Sequence, residues 1–127
     1  MPDQQLIEYA VLRIVPRVER EEFLNVGVIL FCKRPEFLGV RFELDATRIF
    51  ALFPGTDIEC LQASLDALKM IAAGEDAGGP IARLDAPGRF RWLTATKSTM
   101  LQTSKVHPGL CVNPDEMLDS LFQKHVR

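Results

Sequence analysis

Two polar stretches of the chain contain the side chains that could bind an anion. The first is the charged connection Arg17–Asn25, and the second runs from Ala86 to Pro114 without any aspartate or glutamate. Arginine suits phosphate or carboxylate groups through its planar fork of N–H donors, and lysine does so as a point charge. We therefore predict an anion-binding site made of Arg17, Asn25, Arg91, Lys97, Ser98 and His107.

The same charged connection also supports a purely structural interpretation. Glu19, Glu21 and Glu22 lie among its arginines and could neutralise them in an internal salt-bridge cluster. Asn25 and Gly27 leave a similar choice open, because a glycine inside a strand indicates either a bulge or a close approach by a ligand. The turn before Gly27 is thus either functional or structural.

The three cysteines and two histidines do not form a metal-binding pattern. His107 and Cys111 are four residues apart, but no second pair of ligands follows at the spacing of a zinc site. The same pair is the only local arrangement for a thiol nucleophile, and we favour a small apolar role for Cys111. We predict no metal, no cofactor and no catalytic residue, while the reactivity of Cys111 stays open.

Apolar runs on both sides of the charged connection predict buried strands. Leu6–Val15 and Val26–Cys32 are apolar on both faces of an extended chain, which is typical of central strands. Leu38–Leu44 alternates apolar and polar residues, as a half-exposed antiparallel strand does. With a hairpin loop at Lys33–Glu36, these strands make a meander.

Amphipathic periodicity predicts the two main helices. The first begins near Thr56 and ends at Gly74, with apolar residues at three- and four-residue steps. The second begins after Asn113, whose side chain can cap the exposed N–H groups of the first turn. Pro114 at the first helical position supports the same start.

The segment between these helices is predicted as a loop, two strands and a turn. Glycine and proline make Glu75–Gly88 a loop. Phe90–Thr96 alternates like a strand, with a helix around Trp92 as the alternative. Thr99–Val106 is a more polar strand candidate, and His107–Gly109 contains the Pro-Gly pair of a turn. The predicted fold class is α+β: an antiparallel sheet of about four or five strands with two main helices packed on one face.

Length and composition predict a single domain over residues 1–127. The apolar and charged fractions, 47% and 25%, are those of ordinary soluble proteins. A net charge of −2 makes nucleic acid an unfavoured partner. The chain has no apolar run long enough to cross a bilayer and no signal-peptide pattern at its start, so we expect a cytoplasmic protein without a membrane partner.

Several short motifs together resemble a known family. They are Tyr9-Ala-x-Leu-Arg, Pro16-Arg, Glu22-x-x-Asn25-x-Gly27-Val28, Phe90-x-Trp92-Leu93 and His107-x-Gly109-Leu110. The combination is similar to an uncharacterised family of small bacterial proteins, a domain of unknown function, over most of the chain. Members of that family are often encoded beside a HipA-like kinase, and the resemblance therefore implies a kinase-like protein partner.

These observations lead to three hypotheses about function. The preferred one is a non-enzymatic accessory or interaction module that works with a HipA-like kinase and binds through the Arg17–Asn25 turn and the basic Arg89–His107 segment. Such a module is expected to expose an apolar patch or an open sheet edge. The alternative is a small enzyme or binding domain for a phosphorylated or nucleotide ligand, with the predicted anion-binding site holding the anionic small molecule. The weaker alternative is nucleic-acid binding, suggested by Phe90 and Trp92 between basic residues.

Overall fold

The centre of the fold is a pair of long antiparallel strands. The computed structural model describes residues 3–16, 21–95 and 100–127, and within them the sheet has five strands. The strands are β1 (Gln5–Ile14), β2 (Leu24–Cys32), β3 (Phe37–Phe42), β4 (Leu101–Thr103) and β5 (His107–Cys111). The helices are α1 (Ala46–Leu52), α2 (Ile58–Ala73), α3 (Ala86–Leu93) and α4 (Pro114–Val126). The predicted antiparallel α+β fold is confirmed.

One edge of β1 pairs with a single long strand, and the other edge pairs with two short ones. β2 follows the first edge throughout, and β3 lies beyond β2. On the other edge, β5 pairs with residues 5–9 of β1 and places His107 opposite Tyr9. β4 pairs with residues 12–14. All these pairings are antiparallel, and β5 places His107 at an edge of the sheet, beside the middle of β1.

A bulge divides the pairing between β1 and β2. The register passes from Leu12 opposite Gly27 to Arg13 opposite Asn25, so β2 contains one additional residue at this point. A Cβ atom on Gly27 would lie 2.6 Å from the carbonyl oxygen of Arg41 on β3. Glycine is therefore required by the close approach of the neighbouring strand, and Gly27 has a structural explanation.

The main helices α2 and α4 pack on opposite faces of the sheet. Neighbouring residues of a strand point to opposite faces, and β2 divides in this way. Ile29 and Phe31 join the core cluster of α1, α2 and α3, whereas Val28, Leu30 and Cys32 join that of α4. The predicted packing of both helices on one face is therefore not confirmed. Since β2 is apolar on both faces, each face needs a covering layer.

The segment predicted as the strand Phe90–Thr96 begins inside α3. Asp85 caps this helix by accepting a hydrogen bond from the backbone N–H of Gly88. The buried residues of α3 recur at four- and three-residue steps, which is helical spacing. The preferred strand prediction is therefore wrong, and the alternative of a helix around Trp92 is confirmed. The predicted loop Glu75–Gly88 likewise contains short 3-10 turns and the start of α3.

The predicted turn at His107–Gly109 is also wrong, because these residues form the first part of β5. Pro108 cannot donate a backbone hydrogen bond, but an edge strand has one side without a partner and tolerates it. Of the strand predicted at Thr99–Val106, the part described as a strand is Leu101–Thr103, and Thr99 lies outside the described residues. The turn at Lys33–Glu36 is confirmed.

Candidate functional site

The structure describes three of the six residues in the predicted anion-binding site. Asn25 and His107 lie on the sheet face that α4 covers. Arg91 is exposed on α3, which packs on the other face. The described residues thus bring Asn25 and His107 onto one face and keep Arg91 apart from them. The other members lie outside the described residues, namely Arg17, Lys97 and Ser98.

Tyr9 lies between the two histidines of the chain. Its ring centroid is 5.4 Å from that of His107 and 6.2 Å from that of His125, with the rings tilted by 36° and 39°. His107 is the cross-strand partner of Tyr9 on β5, and His125 lies in the last turn of α4. The three rings form an aromatic row between the sheet and the C-terminal end of α4.

Asn25 fixes the end of α4 against the sheet. Its Nδ2 group donates a hydrogen bond of 3.2 Å to the backbone carbonyl oxygen of His125. Arg48 acts in the same way, because its Nη1 group donates to the carbonyl oxygen of Val126 at 2.9 Å. The last carbonyl groups of a helix have no partner within the helix, so these side chains satisfy them. Asn25 therefore has a structural role in positioning His125.

Arg13 lies beside Asn25 as its cross-strand partner on β2. Its guanidinium carbon is 4.2 Å from the centroid of the Phe23 ring, which is a cation–π contact. The Nε atom of Arg13 is buried and has no hydrogen-bond partner, and the same holds for Nε2 of His125. Within the described residues, no salt bridge involves Arg13.

These side chains form one group on the face of the sheet beneath α4. We refer to them as the α4-facing polar cluster, which consists of Tyr9, Arg13, Asn25, His107 and His125. Burial lowers the pKa of His125 below its ordinary value of 6.5, and the charges of Lys124 and His107 lower it further. At a given pH the His125 imidazole is therefore protonated to a smaller extent than an unperturbed histidine.

A second feature is an apolar groove on the opposite face of the sheet, bounded by α2, α3 and β4. It encloses about 420 Å³ and is named here the α2–α3 groove. Trp92 and Met100 are both 38% exposed at this groove. Among its described lining residues, Asp57 carries the one charge. The volume is typical of sites that bind a small molecule or the side chains of a partner. The apolar lining includes Leu61, Leu68, Ile71, Trp92, Met100 and Leu101.

Comparison with known protein families identifies the family of this chain. The family model DUF3037, described as a protein of unknown function, matches residues 9–126. The chain belongs to the DUF3037 family. The predicted resemblance to a domain of unknown function is thereby confirmed, and the matched range includes the whole α4-facing polar cluster. Neither the curated proteins nor the solved structures contain a significant match to this DUF3037 chain.

The cysteines of the DUF3037 chain differ in accessibility. Cys111 is buried, and this burial, followed by the nearby Cys32, raises the pKa of its thiol. Because the thiolate is the nucleophile, a raised pKa argues against a reactive Cys111 and favours the small apolar role. Cys60 is exposed and lines the α2–α3 groove. Cys60 is therefore the thiol that a reagent in solution would reach first.

The described ranges of the DUF3037 chain contain no group of three His, Cys, Asp or Glu side chains placed to hold a metal ion. No helix in these ranges is long and apolar enough to cross a membrane. The chemistry that the α4-facing polar cluster offers is that of N–H donors beside aromatic rings. Such a set can bind an acceptor group of a ligand.

Sequence reasoning missed three members of the cluster: Tyr9, Arg13 and His125. Arg13 gave a signal, because it is a charged residue inside the apolar run Leu6–Val15 and needs a partner when it is buried. Tyr9 and His125 gave none. They are neighbours only through the packing of α4 on β1 and β2, and no local pattern shows that contact.

Proposed function

We propose that this DUF3037 chain is a non-enzymatic accessory module that binds a partner protein through the α2–α3 groove. The observation that carries the proposal is the groove itself, which is apolar and has half-exposed Trp92 and Met100 among its walls. Apolar surface that stays accessible in a folded protein commonly marks an interaction site. A groove between two helices and a strand suits an amphipathic segment of a partner.

The charge around the groove favours a partner segment with basic residues. Asp57 lies at the start of α2 and lines the groove. It is the one charged side chain among the described residues that line the groove. Complementary charges orient a partner and accelerate its association. The occupant that we propose therefore places apolar side chains in the groove and a basic side chain near Asp57.

Further apolar surface lies on the same face of the sheet. Leu6 on β1 and Leu110 on β5 are cross-strand partners, and they are 66% and 55% exposed. Both point away from the face that α4 covers, because their neighbours Ile7 and Cys111 belong to the α4 cluster. This pair extends the surface available to a partner beyond the groove.

The partner that we propose is a HipA-like kinase in the cytoplasm, which the family resemblance implies. The test is co-expression of the full chain with a HipA-like kinase from the same genome, followed by calorimetric titration of the purified proteins. Ala67 lines the groove, and Ala73 is exposed on the same helix outside it. The variants Ala67→Arg and Ala73→Arg therefore make the same chemical change at sites that differ in their relation to the groove.

We expect Ala67→Arg to weaken binding at least about tenfold, because it places a charge in an apolar site. Ala73→Arg should bind like the unchanged chain. Equal affinity of the Ala67→Arg variant would show that the groove is not the interface. Failure of the unchanged chain to associate would overturn the kinase partnership.

A second candidate function is a binding domain for a phosphorylated or nucleotide ligand. The observation that favours it is the α4-facing polar cluster, in which Arg13 and His125 each contain a buried nitrogen without a hydrogen-bond partner. The cluster and the groove lie on opposite faces of the sheet, so the two functions do not compete for the same residues. Nucleic-acid binding is the least supported hypothesis, since the ring of Phe90 is buried and is not available to stack on a base.

A further inference from the structure

We infer that the α4-facing polar cluster binds the oxyanion group of a small molecule, either a phosphate or a carboxylate. This inference deepens the second candidate function and is independent of the groove. It assigns the anion contact to Arg13 and His125, with Asn25 holding the end of α4 and the Tyr9–His107 pair forming a wall. Arg91, which the sequence placed in the anion-binding site, has no part in it.

The location of unpaired polar atoms points to this cluster. Within the described residues, the buried side-chain nitrogen atoms without a hydrogen-bond partner are Nε of Arg13, Nε of Arg89 and Nε2 of His125. Arg13 and His125 share one face of the sheet, connected through Asn25. Buried polar groups in folded proteins are nearly always hydrogen-bonded, to protein, water or a ligand. Both atoms lie on the face of the sheet beneath α4, and an acceptor group that reached them would supply the missing hydrogen-bond partners.

The chemistry of the donors selects an anion. The guanidinium of arginine stays charged at all relevant pH values and has N–H donors but no acceptor. Its Cζ atom lies over the ring of Phe23, 4.2 Å from the ring centroid. Asn25 already donates its amide N–H to the backbone of His125. The group that fits is rich in acceptors and negatively charged, and phosphate and carboxylate are such groups.

The electrostatic surroundings agree with this assignment. Within the described residues, no salt bridge involves Arg13. Lys124 and His107 lie close enough to His125 to affect its pKa. A bound anion would offset these positive charges and favour the protonated form of His125. Binding should therefore be visible in the imidazole signals of His125.

The test uses nuclear magnetic resonance, because the chain contains only two histidines and both belong to the cluster. The imidazole signals of the full-length protein are followed while inorganic phosphate or acetate is added at constant ionic strength, with sodium chloride as the matched salt. The variants are Arg13→Gln and Arg13→Lys. Arg91→Gln is the control, because it removes the same charge from the opposite side of the sheet.

We expect the His125 signals to shift in a saturable way when phosphate or acetate is added. The anion that binds with the higher affinity identifies the ligand class. Arg13→Gln should weaken binding about tenfold, the loss expected for one charge-assisted hydrogen bond. The anion affinity of Arg13→Lys should lie between those of the unchanged chain and Arg13→Gln, since lysine keeps the charge but lacks the planar fork of N–H donors. Arg91→Gln should bind normally.

Two results would overturn the inference. One is the absence of any saturable shift in the unchanged chain beyond that caused by chloride, a result that does not depend on any variant. The other is normal binding by Arg13→Gln. If the amide spectrum shows that Arg13→Gln does not fold, the anion affinity of Arg13→Lys is compared with that of Arg91→Gln. Equal affinity of these two variants would then overturn the inference. The Ala67→Arg variant should keep the shift, which separates this inference from the groove.

Discussion

The hydroxyl oxygen of Ser104 accepts a hydrogen bond of 2.9 Å from the backbone N–H of Val11. The backbone N–H of Ser104 in turn donates to the carbonyl oxygen of Val11 at 2.8 Å. Ser104 lies between β4 and β5, where this edge of β1 has no paired strand. The serine hydroxyl replaces the missing backbone acceptor, and it donates its own proton to the carbonyl oxygen of Lys105. The backbone N–H and carbonyl groups of Val11 are thus hydrogen-bonded although no described strand pairs with this edge of β1 at this point.

Replacing Ser104 by alanine should therefore destabilise the sheet. Val11 is buried, so the loss of its acceptor leaves a backbone N–H without a partner, at a cost of about 1–3 kcal/mol. Urea unfolding of the variant measures this loss. Ser120→Ala is the control, because Ser120 is exposed on α4 and should change the free energy of unfolding much less. Equal stability of the two variants would contradict the role of the Ser104 hydroxyl.

Gly27→Ala should disturb the bulge in the central strand pair. The new Cβ atom would lie 2.6 Å from the carbonyl oxygen of Arg41 and 2.8 Å from Cβ of Phe42, both on β3. Overpacking of this kind costs about 1–3 kcal/mol. In Gly109→Ala the nearest atoms, on the side chain of Ile7, are 3.4 Å away, so the change should be milder. Thermal unfolding of both variants tests the difference, and a milder effect at Gly27 would show that β3 adjusts freely.

The lowered pKa of His125 predicts a dependence of stability on pH. The groups that face it are His107 from β5 and Tyr9 from β1, with Lys124 beside it on α4. In the unfolded chain a histidine titrates near 6.5, whereas in the folded protein it takes up its proton at lower pH. The unfolded state therefore binds more protons between these two values, and stability falls as the pH drops through them.

Urea unfolding between pH 7.5 and 5 measures this decline, which should be smaller in His125→Gln than in the unchanged chain. The other histidine provides the comparison. His107→Gln removes a charge that lowers the pKa of His125, so it should reduce the decline by less than His125→Gln does. The same pH profile in all three proteins would mean that His125 is not the group that titrates.

Local patterns in the sequence were sufficient for most of the elements. The apolar runs predicted β1 and β2, and the alternation from Leu38 predicted β3. Asn113 caps α4, as its side-chain type predicts, and Gly74 ends α2 in the left-handed conformation that favours glycine. These signals depend on residues within a few positions of each other, so they can be read before the fold is known.

The errors in the sequence predictions have two causes. One prediction used too short a segment of the sequence, and the other omitted a strand that is distant along the chain. The strand predicted from Phe90 turned out to be helical because Asp85, several residues upstream, caps α3. His107–Gly109 contains turn residues, yet it is a strand because Tyr9 and its neighbours provide hydrogen bonds for it. In both places a local preference is weaker than a contact that the prediction did not include.

The sequence by itself determined the fold class, the central strands, the C-terminal end of α2 and the start of α4, because short-range sterics and hydrogen bonding encode them. Only the tertiary structure decided which helix covers which face of the sheet. It also decided that Asn25 and His107 share a face with Arg13, Tyr9 and His125 and that Arg91 does not. The physical reason is that these contacts join distant segments through strand pairing and helix packing. The periodicity of the sequence does not show which distant segments will pair or pack together.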